Sequence, residues 1–163
     1  MAKLFVHAPN INTGGGLELL KQLMNELDGD VGLNIDSRAA NLVSLDFFKV
    51  NYIKPSLLSR FYAEWKLQYN SSKYDVVLCF GNLPPLFKLN AEVVLFVQNK
   101  FLISNEPIND FPIRSKIRLY IERLWLRCFM KNVTKCLVQT PHMKDAMLSS
   151  FNMLNKVFVC PFY

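Results

Sequence analysis

Two stretches of this chain are apolar at every position over the length of a strand. They are Val76-Val-Leu-Cys-Phe80, closed by Gly81-Asn82, and Val93-Val-Leu-Phe-Val97. A strand with one wet face alternates polar and apolar residues. A run without polar residues suits a strand covered on both faces, as in a parallel sheet with helices above and below. The remaining pattern agrees with that reading. Lys3–His7 is a predicted buried strand, and Leu17, Leu20, Leu23, Met24 and Leu27 follow at helical spacing. Leu33–Arg38 and Lys49–Lys54 are predicted strands, with 39–48 ambiguous between them. Pro55-Ser56 opens a helix carrying Leu57, Leu58, Phe61, Tyr62, Trp65 and Tyr69, which Asn70-Ser71-Ser72 ends. Pro84-Pro85 leaves no room for a long helix before the next strand. A loop over Lys100–Pro112 precedes a long helix, Ile113–Lys131. Lys135–Gln139 is a strand, Thr140 an N-cap with Pro141 at the first helical position, and Lys156–Cys160 the last strand. The expected fold is α/β: a Rossmann-like, doubly wound, mainly parallel sheet flanked by helices in three layers.

At 163 residues the chain is expected to be one domain, 1–163, and its 51% hydrophobic content can fill a three-layer core. The first apolar run is too short for a secretory signal. The best membrane-span candidate, Leu86–Ile103, contains Lys88, Glu92 and Lys100, so a cytoplasmic location is expected. Cys79, Cys128, Cys136 and Cys160 form no C-x-x-C pair and have no zinc spacing to histidine. They are expected to be reduced, buried thiols, and no metal site is expected.

Ligands of such sheets bind outside the carboxyl ends of the strands. That places the candidate site at His7–Gly16, Gly81–Pro85, Gln98–Lys100 and Gln139–Thr140. The first loop, His7-Ala-Pro-Asn-Ile-Asn-Thr-Gly-Gly-Gly16, lacks the spacing of the dinucleotide fingerprint, and no Gly-Lys-Ser/Thr follows as in a P-loop. NAD enzymes and P-loop NTPases are therefore disfavoured. Glycines without Cβ either let a ligand approach the helix N-terminus, which favours an anion, or form a flexible turn. His7 is either a satisfied structural residue or a ligand contact, and Lys100 either pairs with a phosphate or is solvated. Asp75 and Glu92 lie at strand starts, on the far edge of the sheet. Two histidines and no nucleophile-elbow motif give no basis for a hydrolase.

The helix Ile113–Lys131 carries Arg114, Lys116, Arg118, Arg123, Arg127 and Lys131 against the single acid Glu122. At about 100° per residue, Ile113, Ile117, Ile121, Leu124 and Cys128 share one face, and Leu119, Leu126, Phe129 and Met130 lie roughly opposite. One face packs on the sheet. The other either meets an anionic bilayer, with Arg118, Arg123, Trp125 and Arg127 in contact, or is merely solvated. Nucleic acid does not need a second apolar stripe and is not expected as a partner.

Taken together, the chain resembles the N-terminal domain of a GT-B glycosyltransferase of the retaining, nucleotide-sugar-dependent group. Three features carry the resemblance: the strand and loop ending in Gly14-Gly15-Gly16; the pair Asp75–Asn82 and Glu92–Asn99; and Val138–Asp145 followed by Asn155–Phe162. It implies an acceptor-side half-enzyme whose C-terminal donor domain is absent. Asn12, Gly14, Gly15 and Gly16 would form the donor-diphosphate or acceptor loop. His7, Asn10, Asn82, Gln98, Asn99, Lys100 and Thr140 would line the acceptor side of the cleft. Many relatives place a histidine after the strand matching Glu92–Val97, where this chain has Gln98-Asn99-Lys100. The implied reaction moves a sugar from a nucleotide sugar to a lipid-linked or polysaccharide acceptor of a cell envelope. It needs no cofactor beyond the donor and implies peripheral attachment to the inner membrane face. A free-standing flavodoxin-like module that binds a nucleotide or protein is the alternative.

Overall fold

The computed structural model describes residues 3–27, 31–41, 49–104, 106–151, 153 and 155–161. Seven strands form one fully parallel sheet: β1 (Leu4–Ala8), β2 (Gly32–Asp36), β3 (Lys49–Ile53), β4 (Val76–Phe80), β5 (Glu92–Val97), β6 (Lys135–Val138) and β7 (Val157–Val159). Their order across the sheet is β3-β2-β1-β4-β5-β6-β7. The chain winds outward from β1 to one edge, returns to the centre, and winds out to the other. This is the doubly wound Rossmann-like arrangement expected from the apolar runs. Arg38 lies in a 3-10 turn, Ser37–Ala39, beyond the end of β2, and of the ambiguous stretch 39–48 the segment 42–48 lies outside the described residues.

Four helices are described: α1 (Gly14–Glu26), α2 (Leu57–Asn70), α3 (Ile113–Phe129) and α4 (Pro141–Ser150). Local chemistry starts two of them. The Ser56 hydroxyl accepts the Ser59 N–H at the head of α2, and the Thr140 hydroxyl accepts the Met143 N–H at the head of α4, with Pro141 in the first turn. The two sheet faces carry separate cores. On one, Leu17, Leu20 and Met24 of α1 pack on Val6, Leu33, Ile35, Phe80 and Phe96. On the other, Leu119 and Leu126 of α3 and Met143 and Met147 of α4 cover Val77, Cys79, Leu95, Cys136 and Val138. Register explains the split, because Val6 stands opposite Leu78 while Phe5 stands opposite Val77. Successive residues therefore serve opposite layers.

The long helix presents both expected stripes. Leu119 and Leu126 are buried, while Ile113, Ile117, Ile121 and Leu124 are exposed. The expectation of four buried thiols is corrected. Cys79 and Cys136 are buried within strands, Cys160 is half-buried just past β7, and Cys128 is exposed on the outer stripe of α3.

Candidate functional site

The winding direction reverses between β1 and β4, so the loops leaving these neighbours part and open a crevice. A cavity of about 370 Å³ lies there, lined by residues following β1, β4 and β5 and by Arg118 and Glu122 of α3. It gathers the expected Asn10, Asn12, Gly16, Asn82, Gln98 and Asn99. Most of its polar groups are amides, which both donate and accept hydrogen bonds and so suit hydroxyl-rich ligands. Its carboxylate, Glu122, accepts from Arg118 Nε at 3.0 Å.

The glycines do three different things. Gly14 begins α1 with φ +69°, a left-handed conformation that side chains resist. Gly16 lies where a Cβ would stand 3.0 Å from Gln98 Oε1 and 3.1 Å from Ile11 Cδ1, so it lets α1 close on the end of β5. A Cβ at Gly15 would meet open space, beside a second hollow shared with Gln98 and Gln139. Thr13 occupies the N-cap position of α1, but its side chain makes no capping hydrogen bond. The first N–H groups of α1 thus lack the usual N-cap side-chain acceptor from Thr13. The Gln98 Nε2 is buried with no partner among the described residues.

Asn82 holds the floor of the crevice together. Its Oδ1 accepts from Gln98 N at 2.6 Å and from Asn99 N at 2.9 Å, joining the ends of β4 and β5. Its φ of +69° is one that asparagine tolerates better than most residues. Asn99 Oδ1 in turn accepts the Phe101 N–H and starts the 3-10 turn Lys100–Leu102. These two amides shape the site more than they offer themselves to a ligand.

His7 does not line the crevice. It sits inside β1 at 3% exposure, with both ring nitrogens engaged. The Asn34 amide nitrogen is 3.0 Å from Nδ1, and Glu64 Oε1 accepts at 3.0 Å from Nε2. The other carboxylate oxygen accepts the Leu86 N–H at 3.1 Å. Burial pushes the Glu64 carboxyl up, but the His7 ring, the Leu86 N–H and the Arg60 guanidinium outweigh it and hold it below its ordinary value. His7 is a structural residue because its buried imidazole finds complete satisfaction across 57 positions of sequence.

Other expected contacts are likewise occupied. Lys100 pairs with Glu106 at 3.0 Å and lies over the Phe101 ring. Thr140 spends its hydroxyl on the α4 cap. Arg123, expected at a bilayer, instead donates to the carbonyls of Phe101 and Ser104 and ties α3 to that loop. Trp125 donates its indole N–H to Pro84 O at 2.9 Å and stacks under the Arg60 guanidinium. Arg127 is exposed, and Arg118 lines the crevice with a side chain 72% exposed. Asp75 and Glu92 serve the opposite edge, as expected from their position: Asp75 accepts the Lys3 N–H and Glu92 pairs with Lys135.

Sequence reasoning missed Glu64, Arg60 and Asp36. The signal was present in α2, where Arg60, Ala63, Glu64 and Leu67, continued by Ser71 just past its end, recur at helical spacing and form its inward stripe. The conspicuous Leu57, Leu58, Phe61, Tyr62, Trp65 and Tyr69 are the exposed ones. Asp36 closes β2. Its carboxylate is pushed up by burial but held below its ordinary range by Arg38, whose Nη2 lies 2.6 Å away, and by Asn12. Among the described residues no group of His, Cys, Asp and Glu is placed to hold a metal ion, and no helix is long and apolar enough to cross a membrane. No protein-family model matches the chain, and no curated protein matches its sequence.

Proposed function

We propose that this chain is the acceptor-side half of a glycosyltransferase that moves a sugar from a nucleotide sugar to a lipid-linked or polysaccharide acceptor. The observation that carries the reading is the crevice at the reversal of winding. There the uncapped head of α1, at Thr13 and Gly16, and the side chain of Gln98 line one amide-rich cavity. Helix N–H groups favour an anion such as a diphosphate, and amides favour hydroxyls.

In the proposed reaction the bond from the sugar's anomeric carbon to the diphosphate oxygen breaks, and the acceptor oxygen bonds to that carbon. The acceptor's hydroxyl proton leaves with the diphosphate. The chain's part is to position both substrates and to offset the growing negative charge with the N–H groups at Gly14–Gly16. A second α/β unit across the crevice would hold most of the nucleotide. Peripheral attachment to an anionic membrane surface belongs to the same proposal.

The test is a titration of the isotope-labelled chain with uridine diphosphate at millimolar concentration, followed by amide resonances. Shifts centred on Thr13–Gly16 and Gln98, without sugar transfer by the 163-residue chain, are the expected result. Shifts confined to another surface would overturn the assignment of the site. Measurable transfer by this chain alone would overturn the half-enzyme reading.

A further inference from the structure

A second cavity, about 420 Å³, adjoins the crevice and shares Asn10, Asn12, Arg118 and Glu122 with it. It lies between the ends of β2 and β3 and the head of α2. Arg38, Lys54, Arg60 and Arg118 line it, with the carboxylates of Asp36 and Glu122. Two of these cations are committed to neighbours, Arg38 to Asp36 at 2.6 Å and Arg118 to Glu122 at 3.0 Å. The Lys54 ammonium has no partner among the described residues, while Arg60 faces Glu64 and lies over the Trp125 ring, with its buried Nε unbonded. From the same cavity an apolar groove of about 330 Å³ opens between α2 and α3, sharing Leu57, Arg60, Arg118 and Glu122 with it. Leu57, Leu83, Ile117, Ile121 and Trp125 form the groove, and Arg114 flanks it. Leu57 is 87% exposed, and Ile117 and Ile121 are more than half exposed.

The geometry points to a seat for a single lipid with a phosphate head. The phosphate enters the cavity against Lys54, Arg60 and Arg118, and the first part of the hydrocarbon chain lies in the groove over Ile117 and Ile121. Charge complementarity selects this occupant. Four cations converge on one cavity against two carboxylates, and that net positive charge fits one compact anion rather than a row of carboxylates along a helix. The apolar surface begins where the charges end, so a soluble phosphate leaves the groove wet and a neutral lipid leaves the excess positive charge, Lys54 above all, unmatched. A second copy of the chain would bring the same positive surface against this one. The inference rests on the transferase reading and deepens it, because the shared wall at Arg118 puts the lipid head beside the crevice that would hold the sugar.

The probe is farnesyl phosphate below its micelle concentration, followed by tryptophan fluorescence, since Trp125 walls the groove. Farnesol and inorganic phosphate are the comparison arms. The expected result is saturable binding about ten-fold or more tighter than either, weakened about ten-fold by Lys54→Glu and again by Ile117→Asp with Ile121→Asp. These substituted side chains are solvent-accessible, and unchanged circular dichroism shows that the variants fold. Equal binding of phosphate makes this a soluble-anion site and overturns the proposal. Equal binding of farnesol, or indifference to the variants, reduces it to apolar adsorption and also overturns it. An acidic amphipathic peptide that outcompetes the lipid, or self-association lost in the Ile117 and Ile121 variant, assigns the face to a protein instead. Lipid binding with no nucleotide response at Gly14–Gly16 strikes the transferase reading and leaves the lipid seat standing.

Discussion

Replacing Glu64 by alanine tests the interior on which the crevice is built. Glu64 is 1% exposed and accepts from His7 Nε2 and Leu86 N, while the Arg60 guanidinium faces it. Glu64→Ala leaves two buried N–H donors unpaired, each worth about 1–3 kcal/mol. It also removes the counter-charge of a largely buried arginine, whose guanidinium burial already pulls down. These effects overlap, and breaking a buried charged pair costs about 3–5 kcal/mol in all. That is a large share of a stability of about 5–15 kcal/mol. Glu64→Gln keeps one acceptor but turns an NH2 toward a neighbouring donor, so its cost is about 1–3 kcal/mol. Urea unfolding at neutral pH, followed by far-ultraviolet circular dichroism, separates the two variants by midpoint with an unchanged slope. Because the folded carboxyl lies below its ordinary value of 4.5, its stabilisation is complete above that value and drains away as pH falls through the folded pKa. Glu64→Gln therefore flattens the acid limb of the stability curve. The reasoning fails if Glu64→Ala costs less than about 1 kcal/mol, or if the acid limb is the same in the glutamine variant.

Four further outcomes follow from the geometry. Gly32→Ala places a Cβ 2.5 Å from the buried Phe5 ring and costs about 1–3 kcal/mol. Gly14→Ala costs about 1–2 kcal/mol at its positive φ, and Gly15→Ala in open space is neutral or slightly stabilising; thermal melts that rank Gly15→Ala lowest would contradict this. Asn82→Ala strands the Gln98 and Asn99 N–H groups and costs about 2–3 kcal/mol. Asn82→Asp keeps both acceptor bonds, so equal midpoints for these two variants in urea would rule out the clamp. In native protein a thiol reagent labels Cys128 fast and Cys160 slowly, but Cys79 and Cys136 only after unfolding, since burial raises both thiols and carries Cys136 to about 12. Native labelling of Cys136, read by mass spectrometry, would contradict a packed β6.

Much of the architecture is legible in local sequence. Runs such as Val93–Val97 contain no polar residue for a wet face, so a two-sided parallel sheet follows from hydrophobicity alone. The two stripes of α3 follow from a period of 3.6 residues, and the head of α4 from the single step Thr140-Pro141. The crevice is legible too, because the order of strands and helices already puts the glycine loop, Asn82 and Gln98 at one end of the sheet.

What each side chain does there was decided only by the tertiary structure. Asn10, Asn12, Asn82 and Gln98 look alike in sequence. Yet Asn82 is consumed as a clamp, while the Gln98 Nε2 is left free. The orientation of α2 runs against its hydrophobicity, and a count of apolar residues would turn Leu57, Phe61 and Trp65 inward. Instead the small Ala63 and the acid Glu64 face the sheet, because the buried imidazole of His7 and the N–H of Leu86 need an acceptor. That choice turns the large side chains outward and puts Leu57 on one wall of the apolar groove, whose other wall is α3. Periodicity along a chain sets which elements form. The pairing of buried polar groups, which depends on residues far apart in sequence, sets which face each element shows.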